Sequence, residues 1–345
     1  MKVKIGDLTK IKTGKLDANA SSEDGQYPFF TCSKEPLKIS TYSYDCECVL
    51  VAGNGDLNVK YYNGKFDAYQ RTYIIENNSD GKLYMPYLYL FMEEYVEELR
   101  RQAIGGVIKY IKLGNLTDAM IELPSVEEQR NIVKILFKAK QILEQREIEL
   151  EKLDELIKAR FVEMFGNPDV NEKNWNVYKM EQLCEVGSSK RIYQNDQSLT
   201  GIPFLRISDL VNRMDTGSKD CDLFIPEELF EKFKKQGLVP ARGDILLTAR
   251  GTLGRCYIIQ DDDEFYFQDG MITWLSKFDE KITPLYISYL FEMPEFRKQI
   301  DSLQAGSTVA YLSISMTKEL NVMVPPLELQ NQFAAFVAQT DKSKF

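Results

Sequence analysis

The amino-acid sequence predicts an α+β protein: two pseudo-repeated mixed α/β domains joined by a long coiled-coil helix, with a second, shortened helix at the C-terminus. Three observations predict it. The stretch "GGVIKYIKLGNLTDAMIELPSVEEQ" (105–129) returns in degenerate form as "GSTVAYLSISMTKELNVMVPPLELQ" (306–330), and a repeat of that length marks a duplicated domain. Between the copies, residues 125–166 carry one long helical apolar pattern, with Arg146 filling its skipped position, far longer than a domain core requires. Inside each copy, short β-branched and aromatic runs bounded by Gly, Asn and Asp accompany a single long helical segment.

The elements follow in chain order. At 345 residues, 44% of them hydrophobic, the chain divides most naturally into two or three domains. The first domain is expected over 1–124, with strands at "CVLVAGNG" and "QRTYIIENN" and a helix at "MPYLYLFMEEYVEELRRQ". The second, over 176–325, matches it piece by piece. "KIGDLTKIKTGK" meets "KMEQLCEVGSSK", "YPFF" meets "IPFL", "VLVAGNGDL" meets "ILLTARGTL", and "YLYLFMEEY" meets "YISYLFEMP". The second copy also carries an insertion around "RMDTGSKDCD" and strands at "GDILLTARG" and "RCYIIQDDD".

The central helix is expected over 125–166, with Ser125 as N-cap, acidic residues in its first turn, and Gly166 and Pro168 as its stop. Ile132, Leu136, Ala139, Leu143, Leu150, Leu153, Ile157 and Met164 step along it by three, four or seven, a seam spaced for another helix. At a rise of about 1.5 Å per residue it is about 60 Å long, which makes it a spacer or a partner surface. A turn-rich linker (167–175) precedes the second domain, and the distal helix (326–345) is written only halfway, which leaves Leu150, Leu153 and Ile157 to be covered by something else.

Composition removes several chemistries. There is no histidine, so serine or cysteine hydrolase machinery and mixed zinc sites cannot be built, and the commonest general base is missing. The six cysteines form no CxxC pair and read as reduced structural thiols. No Gly-Lys-Ser/Thr phosphate loop is present. "NPDVNEK" offers acidic residues but lies in the linker, a poor support for a metal centre. No long apolar run or signal-like N-terminus is found, so the expected compartment is the cytoplasm, with no membrane association. The net charge of -9 opposes nonspecific adhesion to nucleic acid. Against that total stand two local basic clusters, Lys2, Lys4, Lys10, Lys12 and Lys15, and Arg242, Arg250 and Arg255, and two acidic runs, 144–155 and 261–264.

The doubled domain, the helix starts "LPSVEEQRNIV" and "VPPLELQNQF", the helix end "LIKARFVEMFGNP", and "YPFFTCSKEP" and "GDILLTARGTLGR" inside the domains together resemble the DNA-specificity (S) subunit of type I restriction-modification enzymes, over essentially the whole chain. The resemblance implies that each globule is a target recognition domain and that the two long helices pack antiparallel and dock modification (methyltransferase) subunits. It implies double-stranded DNA as ligand, with the restriction subunit reached through the modification subunits. Methylation and cleavage then belong to those partners, which bind S-adenosylmethionine, ATP and magnesium. This chain would have no catalytic residue, metal or cofactor of its own and would act in host defence. Two similar domains on a spacer would read an asymmetric bipartite target, since elements roughly 34 Å apart meet one face of a duplex a helical turn on. A reading from another class is a partial subunit acting as an assembly scaffold without full DNA reading, motivated by the half-written distal helix.

Candidate contacts follow from side-chain chemistry. In "LLTARGTLGR", Gly251 and Gly254 permit close backbone approach, Thr248 and Thr252 can donate, and Arg250 and Arg255 can fork onto guanine or phosphate. The matching "LVAGNGDLNVK" offers Asn54, which can read adenine, with Asn58 and Lys60. Gln70 and Arg71, Lys109 and Tyr110, and Ser307 and Thr308 extend the set. The same stretches also fit a plain glycine-rich hairpin, and the matched Tyr110 and Tyr311 fit a shared packing role.

Overall fold

The structure, a computed structural model, describes residues 1–303 and 310–344; Ser307 and Thr308 lie outside the described residues. The chain forms two compact units, Met1–Arg146 and Glu147–Phe345.

In the first unit, β1 (Lys2–Lys4), α1 (Ile5–Leu8), β2 (Thr9–Thr13), β3 (Tyr27–Phe30), β4 (Leu37–Ile39), β5 (Tyr44–Ala52), β6 (Val59–Ala68) and β7 (Thr72–Asn77) precede α2 (Met85–Gln102), α3 (Leu113–Thr117) and β8 (Met120–Glu122). Strands β1 and β8 pair antiparallel, Lys2 opposite Glu122, so the domain closes on its own beginning. The main sheet runs β2-β7-β5-β6-β3-β4, antiparallel except where β3 joins β6. Both of its faces are covered, which explains the unbroken apolar run in β5. Val49 and Val51 pack with Leu88, Met92 and Leu99 of α2, while Cys48 and Leu50, pointing the other way, pack with Phe30 and Phe66. The predicted helix forms over its full length, with Pro86 in its first turn, where no N–H is needed.

The second unit repeats this frame in β9 (Asn176–Lys179), β10 (Glu185–Gly187), β11 (Ile202–Leu205), α5 (Ile207–Thr216), β12 (Phe224–Ile225), α6 (Glu227–Lys235), β13 (Ile245–Thr248), β14 (Cys256–Ile258), β15 (Tyr266–Phe267) and β16 (Ile272–Ser276). After these come α7 (Pro284–Glu292), α8 (Pro294–Leu303), α9 (Ile314–Glu319) and β17 (Asn321–Val324). Again the first and last strands pair, Asn321 opposite Lys179. The orders β10-β16-β13-β14 and β12-β11-β15 reproduce the first sheet if β14 and β15 are two halves of one strand, and β11 joins β15 in parallel as β3 joins β6. The break between those halves holds the acidic run. That run is not simply a solvated face: the Asp263 side chain is buried, its carboxylate 3.3 Å from Arg213 of α5 and accepting from the Tyr257 hydroxyl at 2.9 Å. The insertion thus folds as helices α5 and α6, anchored by a buried ion pair.

Helix α4 (Val126–Phe165) begins in a capping box. The Ser125 hydroxyl accepts from the Glu128 N–H at 3.3 Å and Glu128 accepts from the Ser125 N–H at 2.9 Å. Gly166, at φ 82°, ends it. Helix α10 (Leu327–Lys342) packs antiparallel on the last turns of α4. Phe333 meets Phe161 and Phe165 edge-on, Arg160 lies over the Phe336 ring, and Lys344 pairs with Asp154 at 2.7 Å. The expected seam is therefore split. Ile157, expected to need other cover, is only 1% exposed because α10 and the second domain enclose it, and Leu150 and Leu153 are half-buried. Ile132, Leu136 and Leu143 stand exposed, Leu143 at 63%, because in this stretch α4 turns Gln129 and Val133 inward instead.

Both helix starts carry the same amide clamp. Gln129, fully buried, accepts from the Tyr84 N–H and donates to the Lys82 and Pro124 carbonyls. Gln330 accepts from the Thr283 N–H and hydroxyl and donates to the Lys281 and Pro325 carbonyls. Each saturates backbone groups that would otherwise be buried without partners.

Candidate nucleic-acid interface

Strand β5 runs out into Gly53-Asn54-Gly55, and β13 into Ala249-Arg250-Gly251. In the first unit the Gly53 N–H donates to the Arg71 carbonyl at 2.8 Å, and the Gly53 carbonyl accepts from the Ile111 N–H at 2.9 Å. In the second, the Ala249 N–H donates to the Met271 carbonyl at 2.9 Å and the Ala249 carbonyl accepts from the Leu312 N–H at 3.0 Å. Asn54 bridges to Tyr110, and Arg250 bridges to Tyr311 in the same way. Gly55 and Gly251, next in line, both sit in the left-handed region at φ 70° and 71°, where a Cβ is disfavoured. One backbone clasp is built twice, and at its outer position it carries asparagine in one domain and arginine in the other.

Around the first clasp the side chains divide into braces and free groups. The Asn54 carbonyl oxygen accepts from the Cys32 thiol at 2.9 Å, which leaves its amide N–H groups without partners among the described residues. Asn58 donates to the Cys32 and Asp56 carbonyls at 2.8 and 2.9 Å and accepts from Lys60; its hydrogen bonds are spent inside the loop. Burial holds the Lys60 ammonium below its ordinary pKa, so a phosphate beside it would restore what desolvation removes. The Gln70 amide donates to Asp17 at 2.8 Å. Arg71 and Lys109 are exposed, with no carboxylate partner among the described residues, and the Lys109 carbonyl accepts from the Gly55 N–H at 2.9 Å. Tyr110 is partly exposed.

At the second clasp, Arg250 is exposed, with its guanidinium 4.9 Å from the Tyr311 ring centre. Stacking of this kind fixes the group while leaving its N–H edge free to donate. Gly251 and Thr252 are exposed beside it. Thr248, expected to donate outward, does not: it is fully buried, donating to the Thr252 carbonyl and accepting from the Arg255 N–H. Arg255 is engaged with Asp215 at 2.6 Å, a contact that holds the Asp215 carboxyl below its ordinary pKa. The basic clusters read from the sequence are also partly paired: Arg242 with Asp261, Lys4 with Asp118 and Lys12 with Glu76. Sequence reasoning missed the braces Cys32, Asp17 and Asp215, for which spacing holds no signal. Among the described residues, no group of three or more metal-ligating side chains comes together, and no helix is long and apolar enough to cross a membrane.

The family model for the type I restriction modification DNA specificity domain matches residues 1–152 and 172–345. Over 156 residues, 45% of the chain, the sequence is 40% identical to the type I restriction enzyme EcoDI specificity subunit of Escherichia coli, a match spanning 34% of that protein. It is 24% identical over 371 residues to the type I restriction enzyme MjaVIII specificity subunit of Methanocaldococcus jannaschii, covering 98% of this chain and 85% of that one. The fold is similar to the crystal structure of a type I restriction-modification system S subunit from M. genitalium, with a TM-score of 0.66, 16% identity, and coverage of 100% of this chain and 90% of that one. A structure concerned with complex assembly and conformational transition of the type I R-M system is similar at a TM-score of 0.56 and 14% identity, with the same coverage.

Proposed function

The chain belongs to the type I restriction modification DNA specificity domain family, and from that premise we propose that it reads a bipartite, asymmetric duplex target, one half per domain. The observation that carries this reading is the duplicated clasp with Asn54 in one copy and Arg250 in the other. Asparagine suits adenine and arginine suits guanine in the major groove, so one scaffold reads two different half-sites. Arg71, Lys109 and Lys60 in the first domain and Thr252 and the backbone at Gly251 in the second supply phosphate and positioning contacts. Thr248, Asn58 and Arg255 hold the loops in shape.

The chain performs no chemistry itself. Methyl transfer and cleavage reside in modification and restriction subunits, which bind S-adenosylmethionine, ATP and magnesium in the cytoplasm. The exposed apolar positions of α4, Ile132, Leu136 and Leu143, are where a modification subunit docks. The test is single-molecule sequencing of methylated bases in cells expressing this chain with its modification subunit, against cells lacking the chain. A new motif with two defined halves and a constant gap supports the reading. Unchanged methylation refutes it and favours a scaffold without DNA reading.

A further inference from the structure

Resting on that reading, we propose that the tip of the loop after α2 is an apolar wedge that enters the stacked bases of the first half-site. Ile104 and Tyr110 exchange both backbone hydrogen bonds, at 3.0 and 2.8 Å, and close residues 105–109 into a tight turn. Gly105 makes the turn possible: at φ 120°, a Cβ there would lie 2.6 Å from the Ile108 carbonyl oxygen. The turn is tied in addition to the glycine clasp through Gly55 and Lys109. Such a braced loop should project polar residues, yet its outermost side chains are Val107, fully exposed, and Ile108, 62% exposed, flanked by Ile104 and Tyr110.

An apolar tip held out in water on a hydrogen-bonded base marks a surface that is covered in use. The chemistry around it names the cover. Lys109 lies in the turn itself, the Arg71 carbonyl is bonded to Gly53 of the clasp, and Asn54 bridges to Tyr110; neither cation has a carboxylate partner among the described residues. A polyanion whose interior is apolar and stacked matches that arrangement, and branched aliphatic side chains are the type that insert between base steps, unstack them and kink the duplex. At the corresponding place, in the register that matches Tyr110 to Tyr311, the second copy reads Thr308-Val309-Ala310; threonine and alanine replace Val107 and Lys109, so the inference is confined to the first domain.

The test uses the chain assembled with its modification subunits and a duplex carrying the methylated motif, with 2-aminopurine placed in turn at each step of the first half-site except the methylated position. Binding should raise the fluorescence at one step. The Val107→Ser, Ile108→Ser double variant should abolish that rise and weaken binding by roughly a hundredfold, the scale of two aliphatic side chains losing their burial. Lys109→Ala should weaken binding and lower the salt dependence by about one counterion, with the rise intact. No rise with the unaltered protein, or an equal rise with the double variant, overturns the wedge while leaving the reading of the half-site in place. Loss of modification subunits from the double variant also overturns it and assigns the tip to a protein contact. If no motif is methylated at all, the underlying reading fails and the wedge falls with it.

Discussion

Gln129 and Gln330 show how much a single side chain can decide. Each amide is buried and bonded to three or more groups of its own domain. Gln330→Ala would strand the Thr283 N–H and the Lys281 and Pro325 carbonyls, at about 1–3 kcal/mol for each group left without a partner. We expect a loss of about 3 kcal/mol or more in chemical denaturation of the second unit, whereas a loss below 1 kcal/mol would show that water replaces the amide. Arg250→Ala should cost about 1–3 kcal/mol of discrimination at one base of one half-site, with little change elsewhere, measured by competition among duplex variants. The same scale shows what a sequence hides. Arg250 and Thr248 stand two residues apart in one polar, glycine-rich stretch, yet the first is exposed and the second is buried, because β13 is covered on both faces up to its last residue. Asn58 is likewise drawn inward by the Cys32 carbonyl, twenty-six residues away, a contact no local pattern reveals.

At the scale of elements, periodic segments were the most legible. Helix α2, helix α4 with its Ser125 cap, and strands β5, β7 and β13 all lie where the apolar periods and turn residues place them. The helices α5 and α6 were not foreseen, because the insertion mixes polar residues with a buried arginine whose partner, Asp263, sits in a run that reads as solvated. The seam of α4 was legible as a seam but not as two halves, since its packing depends on what lies against each turn. Where α10 covers it, Phe333 is enclosed by Phe161, Phe165 and Tyr289. Phe333→Ala should therefore destabilise the second unit by about 3–5 kcal/mol, read from its unfolding midpoint. Leu136→Asp with Leu143→Asp, both at exposed positions, should leave that midpoint unchanged and remove the modification subunit from co-purification. Retention of the subunit would place its docking surface elsewhere.

For the whole molecule, duplication is the organising fact, and it was fully legible because residues 105–129 and 306–330 keep their spacing while their side chains diverge. The structure adds that duplication extends to sheet order, to strand closure and to the clasp at Asn54 and Arg250. Acidity also belongs to this scale. With a net charge of -9, and with much of its exposed arginine and lysine paired to carboxylates, the isolated chain should bind target DNA weakly at physiological salt and gain affinity only with partners that enclose the duplex. A salt titration showing tight, sequence-specific binding by the chain alone would contradict this. Whether each domain reads its own half is decided by sequencing the methylated motif produced by the Asn54→Arg variant beside that of the unaltered chain. One half of the motif should change or lose definition while the other half and the gap stay as they were. Simultaneous change in both halves, or no change in either, would contradict separate reading.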